Sequence, residues 1–266
     1  MKVLLAVSSW VKGAQQGDHE ASRATWAKEI PGVDIRFFMG DGTPVNQNEK
    51  VDTAWVSRPP QYLDKASHLE STDYRPLPDE VMLPVPDDFK HLPYKVRAIF
   101  AWALQHGYDF VFKVDTDTYV DVPRLMASGF EKWDYIGTEF CDEKFGSRAS
   151  GGAGYWVNRK SLVLLSSSPV ETCYEDNWTG STLRAHGVSL HKDDRYIVND
   201  RNNFEMGPRS NNNAITSHLG FSPEPYDNRN MHIAHMLRQT PAQNTPIQGV
   251  LLQQRETRPL RRLRRP

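Results

Sequence analysis

The sequence predicts one α/β domain built on a mixed, mostly parallel central sheet, and three observations carry that expectation. The chain opens as strand, helix and strand, the unit from which a parallel sheet grows. An amphipathic helix later leads directly into a short, mostly apolar strand. The composition, 38% hydrophobic and 24% charged residues in a chain of 266, has a globular balance and enough length to bury one core.

Val3–Ser8 is an apolar run of strand length. A loop containing Gly13 and Gly17 follows, and Asp18 opens an N-capped helix that runs through Glu29 until Pro31-Gly32 stops it. Val33–Met39 alternates and is rich in β-branched and aromatic residues, which marks a second strand; Val51–Ser57 is a weaker third. Seven prolines between Arg58 and Pro93 argue for a long irregular loop, a feature that compact enzymes tend to use. From Tyr94 to His106, Val96, Ile99, Phe100, Ala103 and Leu104 share one helical face, and Gly107 ends the helix. Asp109–Val114 is then a buried strand. Further strands are expected near Tyr135-Ile136-Gly137 and through Tyr155-Trp156-Val157, a Gly-rich turn at Gly151-Gly152, and helices from Lys160 to Ser166 and from about Glu175. The domain is expected to cover residues 1–245, with a linker and an Arg-rich tail over 246–266.

No apolar stretch approaches the roughly 20 residues that span a bilayer, and the chain begins as a strand with no cleavable leader, so the expectation is a cytoplasmic protein or a chain trimmed of its targeting segment. Cys141 and Cys173 make no disulfide framework, and reduced thiols are expected, although the two have the option of pairing. With a net charge of −1, the whole chain has no strong preference for nucleic acid or anionic lipid. The tail differs: Arg258, Arg261, Arg262, Arg264 and Arg265 make a candidate nucleic-acid arm, though a solvated terminus is the simpler reading, because chain ends are usually poorly ordered.

The strongest chemical signal is Lys113-Val114-Asp115-Thr116-Asp117-Thr118-Tyr119-Val120, in which two carboxylates leave the carboxyl end of a buried strand, where α/β sheets place ligands. Clustered oxygen ligands suit a hard divalent cation, which neutralises a diphosphate. An EF-hand loop is excluded because Tyr119 and Val120 stand where a ligand and a glycine are needed. A phosphatase of the haloacid-dehalogenase type survives as the alternative, with Tyr119 in place of its Thr or Val. The second signal is Glu175-Asp176 between Tyr174 and Trp178. It reads either as acids complementing a helix N-terminus or as a desolvated general base.

These segments resemble, in order, motifs of the β-1,3-galactosyltransferase and fringe family of inverting glycosyltransferases, which have the GT-A fold. Arg23-Ala24-Thr25-Trp26 resembles its Arg-x-Thr-Trp, and Leu92-Pro93-Tyr94-Lys95 its Leu-x-x-Lys. Lys113–Val120 is similar to Lys-x-Asp-Asp-Asp-x-Phe-Val, Ser150–Tyr155 to Ser-Gly-Gly-Gly-Tyr, and Glu175–Gly180 to Glu-Asp-Val-x-x-Gly. Thr116 replaces the middle aspartate, and neither an amino-terminal anchor nor a paired-cysteine pattern is present. The resemblance implies that Asp117 ligates a metal, that Asp115 approaches the donor's ribose or a metal-bound water, and that Asp176 is the catalytic base. It also implies a late histidine ligand, for which His218 is preferred over His232 and His235. Mn²⁺ suits such a set somewhat better than Mg²⁺. Arg23, Lys95, Gly152 and Glu175 are expected at the donor, and Trp156 and Trp178 either stack on sugars or belong to the core.

The function expected is metal-dependent, inverting transfer from a UDP-sugar to a hydroxyl of a glycan or of a modified nucleobase in DNA. Besides the phosphatase, a non-catalytic UDP- or sugar-binding module remains open.

Overall fold

The computed structural model describes residues 1–28, 30–45, 74–198, 213–220 and 228–239. Its centre is a seven-stranded sheet in the order β10-β6-β9-β4-β1-β2-β3. The strands are β1 (Val3–Ser8), β2 (Val33–Gly40), β3 (Glu80–Leu83), β4 (Phe110–Asp115), β6 (Tyr135–Gly137), β9 (Tyr155–Asn158) and β10 (His191–Lys192). All neighbours pair in parallel except β9, which runs antiparallel to both β4 and β6. The mixed, mostly parallel α/β sheet expected from the sequence is the one the chain forms.

Strands buried on both faces read as continuous apolar runs, and β1 is buried at all six positions. Alternate residues serve opposite faces. Leu4 and Ala6 of β1, with Val111 of β4, pack under α3 (Leu92–Gln105), α5 (Arg159–Ser167) and α6 (Glu175–Ala185). Val3, Leu5 and Val7, with Phe112 and Val114, pack under α2 (Asp18–Thr25), α4 (Val122–Met126) and α7 (Asn228–Gln239). Trp156 and Trp178 are fully buried core residues; Trp156 stacks on Phe130 at 3.8 Å, and the Trp178 indole donates to Pro169 O.

Two smaller sheets flank the carboxyl ends of the main strands. In one, β12 (Thr216–His218) lies between β11 (Tyr196–Ile197) and β5 (Thr118–Val120), antiparallel to β5 with His218 opposite Thr118. The other is the hairpin of β7 (Glu139–Asp142) and β8 (Gly146–Ala149).

Several boundaries differ from the sequence expectation. The loop through Gly13 holds a short helix, α1 (Val11–Gln15), while α2 starts at Asp18 as expected, with Gly17 as its N-cap at φ 90°. The helix ends at Thr25, before the expected stop. The proline-rich stretch contains β3, which completes the sheet edge beside β2. Pro93 belongs to the first turn of α3, where its missing N–H costs nothing, and Gly107 closes that helix at φ 76°. The weak strand at 51–57, the domain boundary at 245 and the Arg-rich tail lie outside the described residues. Cys141 is exposed and Cys173 buried, and no disulfide joins them. Among the described residues no helix is long and apolar enough to cross a membrane.

Candidate active site

The pairing of β12 on β5 brings the late histidine to the acid pair. Asp115 ends β4 and Asp117 sits in the tight turn to β5, where its carbonyl accepts from Leu219 N just past β12. One ligand atom from each of Asp115, Asp117 and His218 lies within 4.8 Å of the others. Asp117 Oδ1 is buried, has no hydrogen bond among the described residues and faces His218 Nε2 at 3.3 Å. His218 Nδ1 lies 3.0 Å from Val198 O; the neutral tautomer that donates there turns a lone pair at Nε2 toward Asp117. An orphaned carboxylate oxygen beside an imidazole lone pair fits a bound cation. His232 and His235 are not in this group; His235 Nδ1 sits 3.2 Å from the Tyr119 hydroxyl.

Glycine makes the space. A Cβ at Gly152 would lie 2.5 Å from His218 Cε1, and one at Gly220 would overlap the Asp117 carboxylate. Burial pushes the Asp117 carboxyl up, but the charge His218 takes on when protonated, together with that of Lys113, outweighs this and holds it below its ordinary value. Asp115 is raised, first by burial, with Lys113 opposing.

The cations expected at the donor have internal partners instead. Lys95 is buried on α3, and its ammonium bonds Ser9 O at 2.5 Å and Asp87 Oδ1 at 2.8 Å. Asp87 also accepts from Val11 N and Gly40 N, so the pair fixes the chain where it leaves β1 and β2. Arg23 forks onto Asp79 with two 2.8 Å bonds, reaches Glu80 at 2.7 Å and covers the Phe37 ring. Glu175, in the first turn of α6, is buried, with Lys113 at 3.0 Å on one oxygen and the Tyr155 and Thr179 hydroxyls on the other.

Asp176 is different. It follows Glu175 on α6 and accepts from Asn177 N at 2.8 Å. Its pKa is pushed up to about 6, mainly by burial and next by the Glu175 charge, against the opposing pull of Arg148, the Asn177 N–H and Lys113. A carboxylate that takes up a proton near neutral pH is suited to general-base work.

Two residues went unassigned in the sequence. Asp18, buried in the first turn of α2, has a pKa raised to about 6 by burial and by the charge of Asp117, which places a third acid at the edge of the pair. Its position reads in sequence as an ordinary helix-start acid, so no signal singled it out. Lys113 opens the Lys113–Val120 segment that resembles the family's Lys-x-Asp-Asp-Asp-x-Phe-Val, but the sequence assigned it no role of its own.

No protein-family profile matches the chain, and no curated protein sequence does either. Among solved structures, it is similar to the galactosyltransferase LgtC in complex with donor and acceptor sugar analogs, at 12% identity over 94% of this chain and 99% of that one, with a TM-score of 0.42. It is also similar to the apo-form glycosyltransferase GlyE of Streptococcus pneumoniae TIGR4, at 12% identity over 96% of this chain and 63% of that one, with a TM-score of 0.43. Likeness at this level carries no functional argument, and the chemistry is read from the site itself.

Proposed function

We propose that the chain is a metal-dependent, inverting glycosyltransferase of GT-A type that moves a sugar from a UDP-sugar to an acceptor hydroxyl. The observation that carries this reading is an Asp-Asp-His group at the carboxyl end of β4, joined through Asp115, Lys113 and Glu175 to the helix turn that bears Asp176, a carboxylate whose pKa is pushed up to about 6. Asp115, Asp117 and His218 would hold the cation, and their mixed oxygen and imidazole character favours Mn²⁺ over Mg²⁺. When bound, it supplies positive charge to the departing diphosphate. Asp176 takes the proton from the acceptor hydroxyl, whose oxygen forms the new bond at the anomeric carbon as the bond to UDP breaks. One displacement inverts that carbon and needs no covalent intermediate.

Lys95, Arg23 and Glu175 support this reading as scaffold rather than as donor ligands, since their charged groups already bond within the fold. The test is UDP release from a panel of UDP-sugars, with and without Mn²⁺ and with added glycan acceptors. Release that requires both metal and acceptor supports transfer. Phosphate release from phosphomonoesters would support the phosphatase, and UDP binding without turnover would support a binding module.

A further inference from the structure

Lys113 points to the side of the sheet that carries α6 and is 0% exposed. An ammonium removed from water is costly unless its charge and donors are met. Lys113 Nζ bonds Asp115 Oδ1 at 2.8 Å, Glu175 Oε2 at 3.0 Å and Gly151 O at 3.2 Å. These carboxylates hold the ammonium well above its ordinary pKa, although burial alone would lower it. The junction is closed to ligands: a Cβ at Gly151 would strike Glu175 Oε2, and the other Glu175 oxygen is taken by Tyr155 and Thr179.

We infer that Lys113 and Glu175 are a buried positioning pair that sets the basicity of Asp176, Glu175 placing negative charge beside it and Lys113 restraining that charge while tying α6 to the acid-bearing strand β4. The inference rests on Asp176 being the base. Asp176 follows Glu175 on α6 and accepts the Asn177 N–H; the charges of Glu175 on its own helix, Lys113 on β4 and Arg148 on β8 act on it, and its own charge acts on the Tyr135 phenol on β6. Within this set Glu175 favours the protonated form, and Lys113, Arg148 and the N–H favour the carboxylate. The two ends of one hydrogen bond therefore act on Asp176 with opposite sign. A merely structural bond has no such signature, because breaking it from either side would admit water and lower the Asp176 pKa both times.

The experiment is a carboxyl ¹³C NMR titration of the full chain labelled at aspartate, with the Asp176 signal assigned by its loss in Asp176→Asn. Glu175→Gln should lower the Asp176 midpoint by about one unit and Lys113→Met should raise it by about one. The double variant Lys113→Met/Glu175→Gln should return to within about half a unit of wild type. The acidic limb of kcat should follow the same shifts. Midpoints that move in the same direction, or do not move, overturn the inference. If Lys113→Met does not fold, an unmoved midpoint in Glu175→Gln is sufficient to do so. The titration reads the pair without any sugar transfer, whereas full transfer by Asp176→Asn would remove the base assignment instead.

Discussion

Asp176 carries a cost in the folded protein that its proposed chemistry explains. Its folded pKa of about 6 lies above the ordinary 3.8, so folding penalises the charged form. The penalty is fully present above pH 6, shrinks as pH falls from 6 to 3.8 and is gone below 3.8, where the side chain is protonated in both states. Asp176→Asn should therefore be more stable than wild type at pH 7.5, and the gap should close by about pH 4; thermal unfolding at the two pH values checks this. Residue types and spacing singled out the Asp115–Asp117 pair and left Glu175-Asp176 open between helix-start acids and a base, while His218 and the base role of Asp176 came only from the family resemblance; the structure brings Asp115, Asp117 and His218 together. Residue types and spacing did not reveal that Arg23, Lys95 and Glu175 spend their charges inside the fold, since their partners Asp79, Asp87 and Lys113 lie far away along the chain or belong to another element.

At the scale of elements, the site depends on two close approaches and one buried ion pair. A Cβ at Gly220, just past β12, meets the Asp117 carboxylate and comes within 3.2 Å of His218 Nε2. Gly220→Ala should fold yet lose about 10- to 100-fold in Mn²⁺-dependent UDP affinity by calorimetry, the scale on which disturbed ligand support is felt. Lys95 and Asp87, 5% and 1% exposed, join α3 to the exits of β1 and β2. Lys95→Met would remove one side of a buried ion pair, and urea denaturation should show a loss of about 3–5 kcal/mol. Strands and helices with strong periodicity, such as β1, β4 and α3, were legible from sequence. The short α1, β3, β5 and β12 depend on tertiary pairing: β12 exists because it closes on β5, a contact about a hundred residues apart that no local pattern encodes.

Across the whole molecule, charged groups hold sheet and helices together as well as forming the site. Glu80 receives His19, Tyr74, Leu77 N and Arg23, which outweigh its burial and depress its pKa from 4.5 to about 2. His19, in turn, bonds Ser9 at the exit of β1, and its own pKa is lowered, chiefly by burial. For both groups the unfolded chain binds protons more readily, so each contributes stability that is lost as pH falls: His19 below its ordinary 6.5, Glu80 below 4.5. Glu80→Gln should flatten the loss of stability between pH 5 and pH 3 measured by denaturant unfolding. A slope equal to that of wild type would place the acid sensitivity elsewhere. The account stands most directly on one measurement, the transfer rate of Asp176→Asn with donor and Mn²⁺ saturated, taken beside titrations of UDP and metal. The account predicts UDP and Mn²⁺ affinities within about two-fold of wild type and a rate lower by about 10²–10⁴-fold. Transfer at more than about a tenth of the wild-type rate would contradict it, because a base worth even the lower end of that range cannot be lost so cheaply.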